Sequence, residues 1–178
     1  MDSLKDGEVQ SPEARKEAYL SRLSQNDQDN LRKIGEQFKK VMQEEERKGV
    51  LVAVGGTVNK PLPRKDIDIL VVLQPHQGDI QRGTSTELDF ALKDFQTFRR
   101  LIENALNQDP QLQIKEVIEP AMDEEFGSPS ILKTDGSIVV ASKEEGGMPI
   151  EFIRISERGS YQEVAAGDKR PFVILEQT

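Results

Sequence analysis

Residues 50–73, VLVAVGGTVNKPLPRKDIDILVVL, constrain the fold more than any other stretch of the chain. A Gly pair, Gly55-Gly56, ends one apolar strand, and two aspartates, Asp66 and Asp68, open the next. Side chains alternate across a strand, so carboxylates at i and i+2 project to the same face, about 6.5–7 Å apart at ~3.3 Å per residue. Polar PLPRK precedes the pair and apolar ILVVL follows it, which places the carboxylates at the mouth of a strand whose body is buried. Two carboxylates so placed, at the rim of a sheet, can share divalent cations.

The composition narrows what such a rim can do. With 178 residues the chain has room for one domain with a real core and not for two ordinary domains and a linker. Residues 1–28 read as a polar N-terminal extension with a short helix, and 29–178 as the domain proper. Hydrophobic content of 35% and charged content of 31% suit a soluble protein, and no apolar run approaches the ~18–20 residues of a membrane span. MDSLKDGEVQ lacks the basic and apolar regions of a signal peptide, so a cytoplasmic address is the expectation. The absence of cysteine removes disulfides, thiol nucleophiles and sulfur-ligated zinc. His76 is the single histidine; it lies past the strand end with no evident partner and reads as a surface residue. Catalysis, if present, rests on carboxylates.

Lys and Arg number 24 against 32 Asp and Glu, a net charge of −8, which argues against a broad electrostatic grip on nucleic acid. Lys60, Arg64 and Lys65 nonetheless cluster between the glycines and the aspartates, where they can neutralise phosphate or simply solvate a loop.

Along the chain, Ser11 as N-cap and Pro12 at the first helical position predict a helix near 12–24. QNDQDN reads as a turn. Leu31, Ile34, Phe38 and Val41 then recur at helical spacing, with Gly49 as the expected terminator before the strand at 50–54. TSTE at 84–87 fits a capping box, and Leu88, Ala91, Phe95, Phe98, Ile102 and Ala105 form one apolar stripe that stops near Asn107 to Pro110. Beyond it LQIKEVI alternates, ILKTDGSIVV suggests an Asp135-Gly136 hairpin, and PIEFIRI is β-rich. EEGG at 144–147 reads as a turn and MDEE at 122–125 as solvated loop. The expected class is α+β, a mixed sheet with helices packed mainly on one face.

Gly55-Gly56-Thr57 ending one strand, a gap of about ten residues and Asp66-Ile67-Asp68 on the next together resemble the DNA polymerase β-type nucleotidyltransferase superfamily. Within it, the small bacterial proteins of the minimal and abortive-infection type look most similar. The resemblance covers about residues 30–155. It implies a nucleotidyltransferase-like fold and a third carboxylate on a later strand, for which Glu151 in MPIEFIRI is the position carried over and Glu116 the reserve. Relatives commonly show Asp where Glu151 stands. Pro61 and Pro63 also argue that the loop after the glycines does not continue as the short helix many relatives carry.

The resemblance implies transfer of a nucleoside monophosphate from a nucleoside triphosphate, ATP among the donors, to an unidentified acceptor hydroxyl. Asp66, Asp68 and Glu151 would hold two Mg²⁺ ions, with Mn²⁺ as a substitute. Gly55, Gly56 and the Thr57 hydroxyl, assisted by Arg64 and Lys65, would receive the triphosphate. The alternative is a catalytically silent nucleotide-binding or partner-binding, antitoxin-like module of the same fold. A glycosyltransferase fits poorly because it needs a larger nucleotide-binding half upstream, and a haloacid-dehalogenase-like phosphatase because it needs an apolar strand where PLPRK stands. In the plainest reading Asp66 and Asp68 are only a polar strand edge.

Overall fold

Ser11 and Ser24 start the first two helices for the same reason. Each hydroxyl accepts a hydrogen bond from the backbone N–H three residues on, Ala14 and Asp27, which satisfies one of the donors that a helix start leaves open. The structure is a computed structural model and describes residues 10–73, 87–108, 111–122, 132–134, 136–143, 147–155 and 172–178. Helix α1 spans Pro12–Ser21 with proline at its first position, and α2 spans Gln25–Glu44. QNDQDN is therefore the opening of α2 and not a turn: Ser24 caps it, and its polar residues precede turns that bury Leu31, Ile34, Phe38 and Val41. Gly49 does not end that helix either. The Arg47 N–H reaches the Met42 carbonyl and the Glu46 N–H reaches that of Gln43, a Schellman closure with Glu46 at φ +51° in the left-handed position. Gly49 begins β1 (Gly49–Val54), where a Cβ would meet the Phe38 ring at 2.9 Å.

A one-turn helix, α3 (Gly56–Asn59), follows the glycine turn, contrary to the expectation drawn from the prolines. Pro61 and Pro63 lie beyond it, and Lys60 is already extended, so they limit the helix to one turn without preventing it. Then come β2 (Ile67–Leu73), α4 (Glu87–Gln108), β3 (Leu112–Ile118), β4 (Ala121–Met122), β5 (Leu132–Thr134), β6 (Ser137–Ser142), β7 (Ile150–Ile155) and β8 (Phe172–Gln177). Six of these strands form one mixed sheet in the order β3-β6-β7-β2-β1-β8, and β4 pairs with β5 in a separate ribbon. The β2–β7 pair is parallel and the other pairs are antiparallel. This is the expected α+β architecture. The strands flanking Asp135-Gly136 do not pair with each other as a hairpin: β5 pairs with β4, while β6 lies between β3 and β7 in the large sheet, and Asp135 itself lies outside the described residues. Strand β8, which the sequence reading did not name, pairs with β1 at the sheet edge.

The helices cover one face. Phe38 and Val41 of α2 and Phe98 and Ile102 of α4 share a core with Ala53 of β1, Ile67 and Ile69 of β2, and Phe152 of β7. Each such side chain removed from water contributes roughly 1.5–3 kcal/mol. Tyr19, Leu20 and Leu23 belong to the same core, and residue 28 falls inside α2, so no break in packing marks that position. The opposite face carries a smaller cluster of Val52, Val54 and Leu70. No helix among the described residues is long and apolar enough to cross a membrane. His76, the start of TSTE, Leu88 and Ala91 as side chains, most of MDEE, and Glu144 to Gly146 lie outside what is described.

Glu46→Gly relieves a left-handed backbone and is expected to stabilise the protein by about 0.5–1 kcal/mol. Gly49→Ala overpacks against Phe38 and is expected to destabilise it by about 1–3 kcal/mol. Urea unfolding midpoints of the two variants, shifted in opposite directions, are the check.

Candidate metal centre

The parallel register of β2 and β7 places Asp68 directly opposite Glu151. On either side of that pair, Ile67 stands opposite Ile150 and Ile69 opposite Phe152, all four buried in the helix-side core. Alternation therefore turns Asp68 and Glu151 toward the other face. The Ile67 N–H donates to the Pro149 carbonyl at 2.8 Å, which carries the pairing to the rim where Asp66 stands. Asp66, Asp68 and Glu151 each offer a carboxylate oxygen, the three atoms all lie within 4.8 Å of one another, and all three residues are half-buried. The side chains thus converge beyond the backbone spacing of an i, i+2 pair. Glu116 stays outside the group: it pairs with Val139, which pairs with Glu151, so it sits in the same cross-sheet row but two strands away.

The two glycines make separate close contacts. Gly55 has φ +78°, and a Cβ there would lie 2.7 Å from Asp68 Oδ2, so a side chain would both strain the turn and displace the carboxylate. At Gly56 a Cβ would meet Arg64 Nε at 2.8 Å, which brings the Arg64 guanidinium against the glycine turn. Arg64 and Lys65 are exposed, and the Arg64 N–H points to Met148 Sδ at 3.4 Å. Thr57, whose hydroxyl the sequence reading assigned to phosphate, turns inward: it is 1% exposed and its Oγ1 shares a 3.0 Å hydrogen bond with the Tyr19 hydroxyl. Its place on the one-turn helix aims it at α1 instead of the rim. Arg22 of the α1 end donates to the carbonyls of Thr57, Val58 and Lys60 and so holds the loop between the glycines and the aspartates. Sequence reading missed both Tyr19 and Arg22, since their partners are 35 or more residues away.

Burial raises the pKa of the Glu151 carboxyl, and the neighbouring charges of Asp68, Asp66 and Glu116 push it further up, with Lys65 opposing. Carboxylates gathered within a few ångströms repel one another, and three hard oxygen donors of this kind suit a divalent cation. The residues therefore fit a metal ion on the chemistry of the donor set itself.

The sign of the pH dependence follows. A carboxyl whose native pKa is raised holds its proton in the folded state above pH 4.5, where the unfolded state is losing it. Metal-free protein is thus expected to lose stability as pH rises from the ordinary carboxylate range through the raised Glu151 value. Burial also raises Asp27, so the comparison with Glu151→Gln isolates the contribution. Thermal unfolding in chelator across this range is expected to give a flatter profile for the variant, and added Mg²⁺ at neutral pH is expected to raise the melting temperature of the wild type more than that of the variant. Comparison of the chain with protein-family models, with curated proteins and with solved structures finds no match.

Proposed function

We propose that the protein is a Mg²⁺-dependent nucleotidyltransferase, moving a nucleoside monophosphate from a nucleoside triphosphate to an acceptor hydroxyl. The observation that carries this reading is the convergence of Asp66, just before β2, with Asp68 and Glu151 on the paired strands β2 and β7 beside a glycine turn. Support also comes from the basic loop, Lys60, Arg64 and Lys65, on the glycine side of the carboxylates, which gives an anionic triphosphate a place to lie.

The reaction is an in-line displacement: the acceptor oxygen forms a bond to the α-phosphorus, the bond from that phosphorus to the β-bridging oxygen breaks, and pyrophosphate leaves. Asp66, Asp68 and Glu151 would hold Mg²⁺, which when bound supplies charge neutralisation at the triphosphate and a lowered pKa for the acceptor hydroxyl. Glu151, half-buried and with its carboxyl pKa raised by burial, receives the proton of the acceptor hydroxyl. The bare backbone at Gly55 and Gly56 lets Asp68 and Arg64 close on the turn, and Arg64 and Lys65 counter the charge of the phosphates. Thr57 has no part in this, its hydroxyl being held by Tyr19.

Calorimetric titration with a panel of nucleoside triphosphates, with and without Mg²⁺, tests the reading. Mg²⁺-dependent binding is expected in the wild type and its loss in Asp66→Asn and Asp68→Asn, both folded by circular dichroism. Transfer activity, once an acceptor is found, is expected to fall by at least about a hundredfold in either variant. A wild type that binds no triphosphate would instead indicate a silent module acting through a protein partner.

A further inference from the structure

The loops that deliver Asp66 and Glu151 meet at a residue outside the carboxylate group. Leu62 and Pro63, on the way to Asp66, and Gly147 and Met148, on the way to Glu151, line one cleft together with Asp27. Asp27 sits in the first turn of α2 and is 2% exposed. One carboxylate oxygen, Oδ2, accepts from the Ser24 hydroxyl at 2.9 Å; the other, Oδ1, accepts from the Met148 N–H at 3.2 Å, across 121 residues of chain. The close approach depends on Gly147, where a Cβ would stand 3.2 Å from Asp27 Oδ1, 3.2 Å from Asn26 Nδ2 and 3.0 Å from Ser142 Oγ. One residue further on, the Pro149 carbonyl takes the Ile67 N–H, and the next two residues are Ile150 and Glu151.

We propose that Asp27 is a positioning residue for the carboxylate group: by fixing Met148 against the α2 N-terminus it sets where β7 begins, and thereby holds Glu151 opposite Asp68. This rests on the metal-binding reading of Asp66, Asp68 and Glu151. Ser24 alone caps the helix through the Asp27 N–H, so the cap does not require a carboxylate at 27. Burying that carboxylate costs free energy unless both oxygens are used, and its second oxygen is used on the segment leading to Glu151. Asp27 acts on Glu151 through the backbone that runs from Met148, so the loss of about 10–100-fold typical of a partner bonded to the ligand itself sets the upper bound of its effect.

The test uses the full chain and Mn²⁺ alone as probe, titrated by electron paramagnetic resonance, together with amide hydrogen exchange. Asp27→Ala is expected to weaken Mn²⁺ binding about tenfold and to speed exchange at the Met148 and Ile67 amides while the middle of α2 stays protected. Asp27→Asn keeps an acceptor for the Met148 N–H and a donor for Ser24, and is expected to stay near wild type on both readouts. Gly147→Ala disturbs the same contact from its other side and decides the matter if Asp27→Ala does not fold. In a Glu151→Gln background Asp27→Ala is expected to add no further loss of affinity. Wild-type affinity in both Asp27→Ala and Gly147→Ala, or losses that simply add to that of Glu151→Gln, would overturn the role of Asp27 while leaving the metal centre intact. A wild type that binds no Mn²⁺ would overturn the metal reading itself, and this inference with it.

Discussion

The parallel pairing of β2 with β7 governs where the carboxylates stand and which side of the sheet they occupy. Among the described strands it is the one parallel pair in the sheet, and its register sets Asp68 beside Glu151. A slip of one residue would turn Glu151 into the helix-side core and bring Ile150 or Phe152 out in its place. The register is held from below by the apolar alternation of both strands, which leaves Ile67, Ile69, Ile150 and Phe152 buried. At the rim it is held by the Ile67–Pro149 hydrogen bond.

Sidedness follows from where the helices sit. α1, α2 and α4 bury one face of the sheet, so the polar positions of β2 and β7 face the other. Arg154 is the exception that shows how tightly this is enforced. Three residues after Glu151, it points into the helix side, is 1% exposed, and lies 3.6 Å from Asp94 of α4, which also pairs with Arg47 just beyond α2. A charge on that face is tolerated because it is matched by a carboxylate from a covering element, and the network ties α4 to β7 and to the end of α2. On the opposite face burial and the neighbouring charges of Asp68 and Asp66 push Glu151 toward its protonated form, and the gathered carboxylate oxygens suit a cation.

Much of this was legible in the residues. The helical spacing of Leu31, Ile34, Phe38 and Val41 and the alternation around Asp66 and Asp68 report local periodicity, and each is found as a helix or strand of the expected kind. Gly55 and Gly56 read as a turn, and the structure adds that each makes room for a specific side chain, Asp68 and Arg64. What went astray depended on competition between local and distant partners. QNDQDN carries turn-forming residues, yet the Ser24 and Asp27 pair, an S-x-x-D pattern, opens a helix there; the same pattern, passed over in the sequence, marks Asp27. Asp135-Gly136 is good hairpin chemistry, but the flanking strands find better partners elsewhere. Thr57 follows the glycines in a way that suggests a donor, and Tyr19 claims its hydroxyl.

The strands around the glycine turn, the two aspartates at the mouth of one of them and the class of the fold follow from local residue patterns, because apolar periodicity, turn residues and charge placement act over a few residues and need no partner to be read. Which carboxylate joins Asp66 and Asp68, which face of the sheet they share and what holds that geometry depend on long-range packing. Those outcomes belong to the register between β2 and β7 and to Met148 meeting Asp27, contacts between segments 83 and 121 residues apart whose selection is made by the burial of a common core.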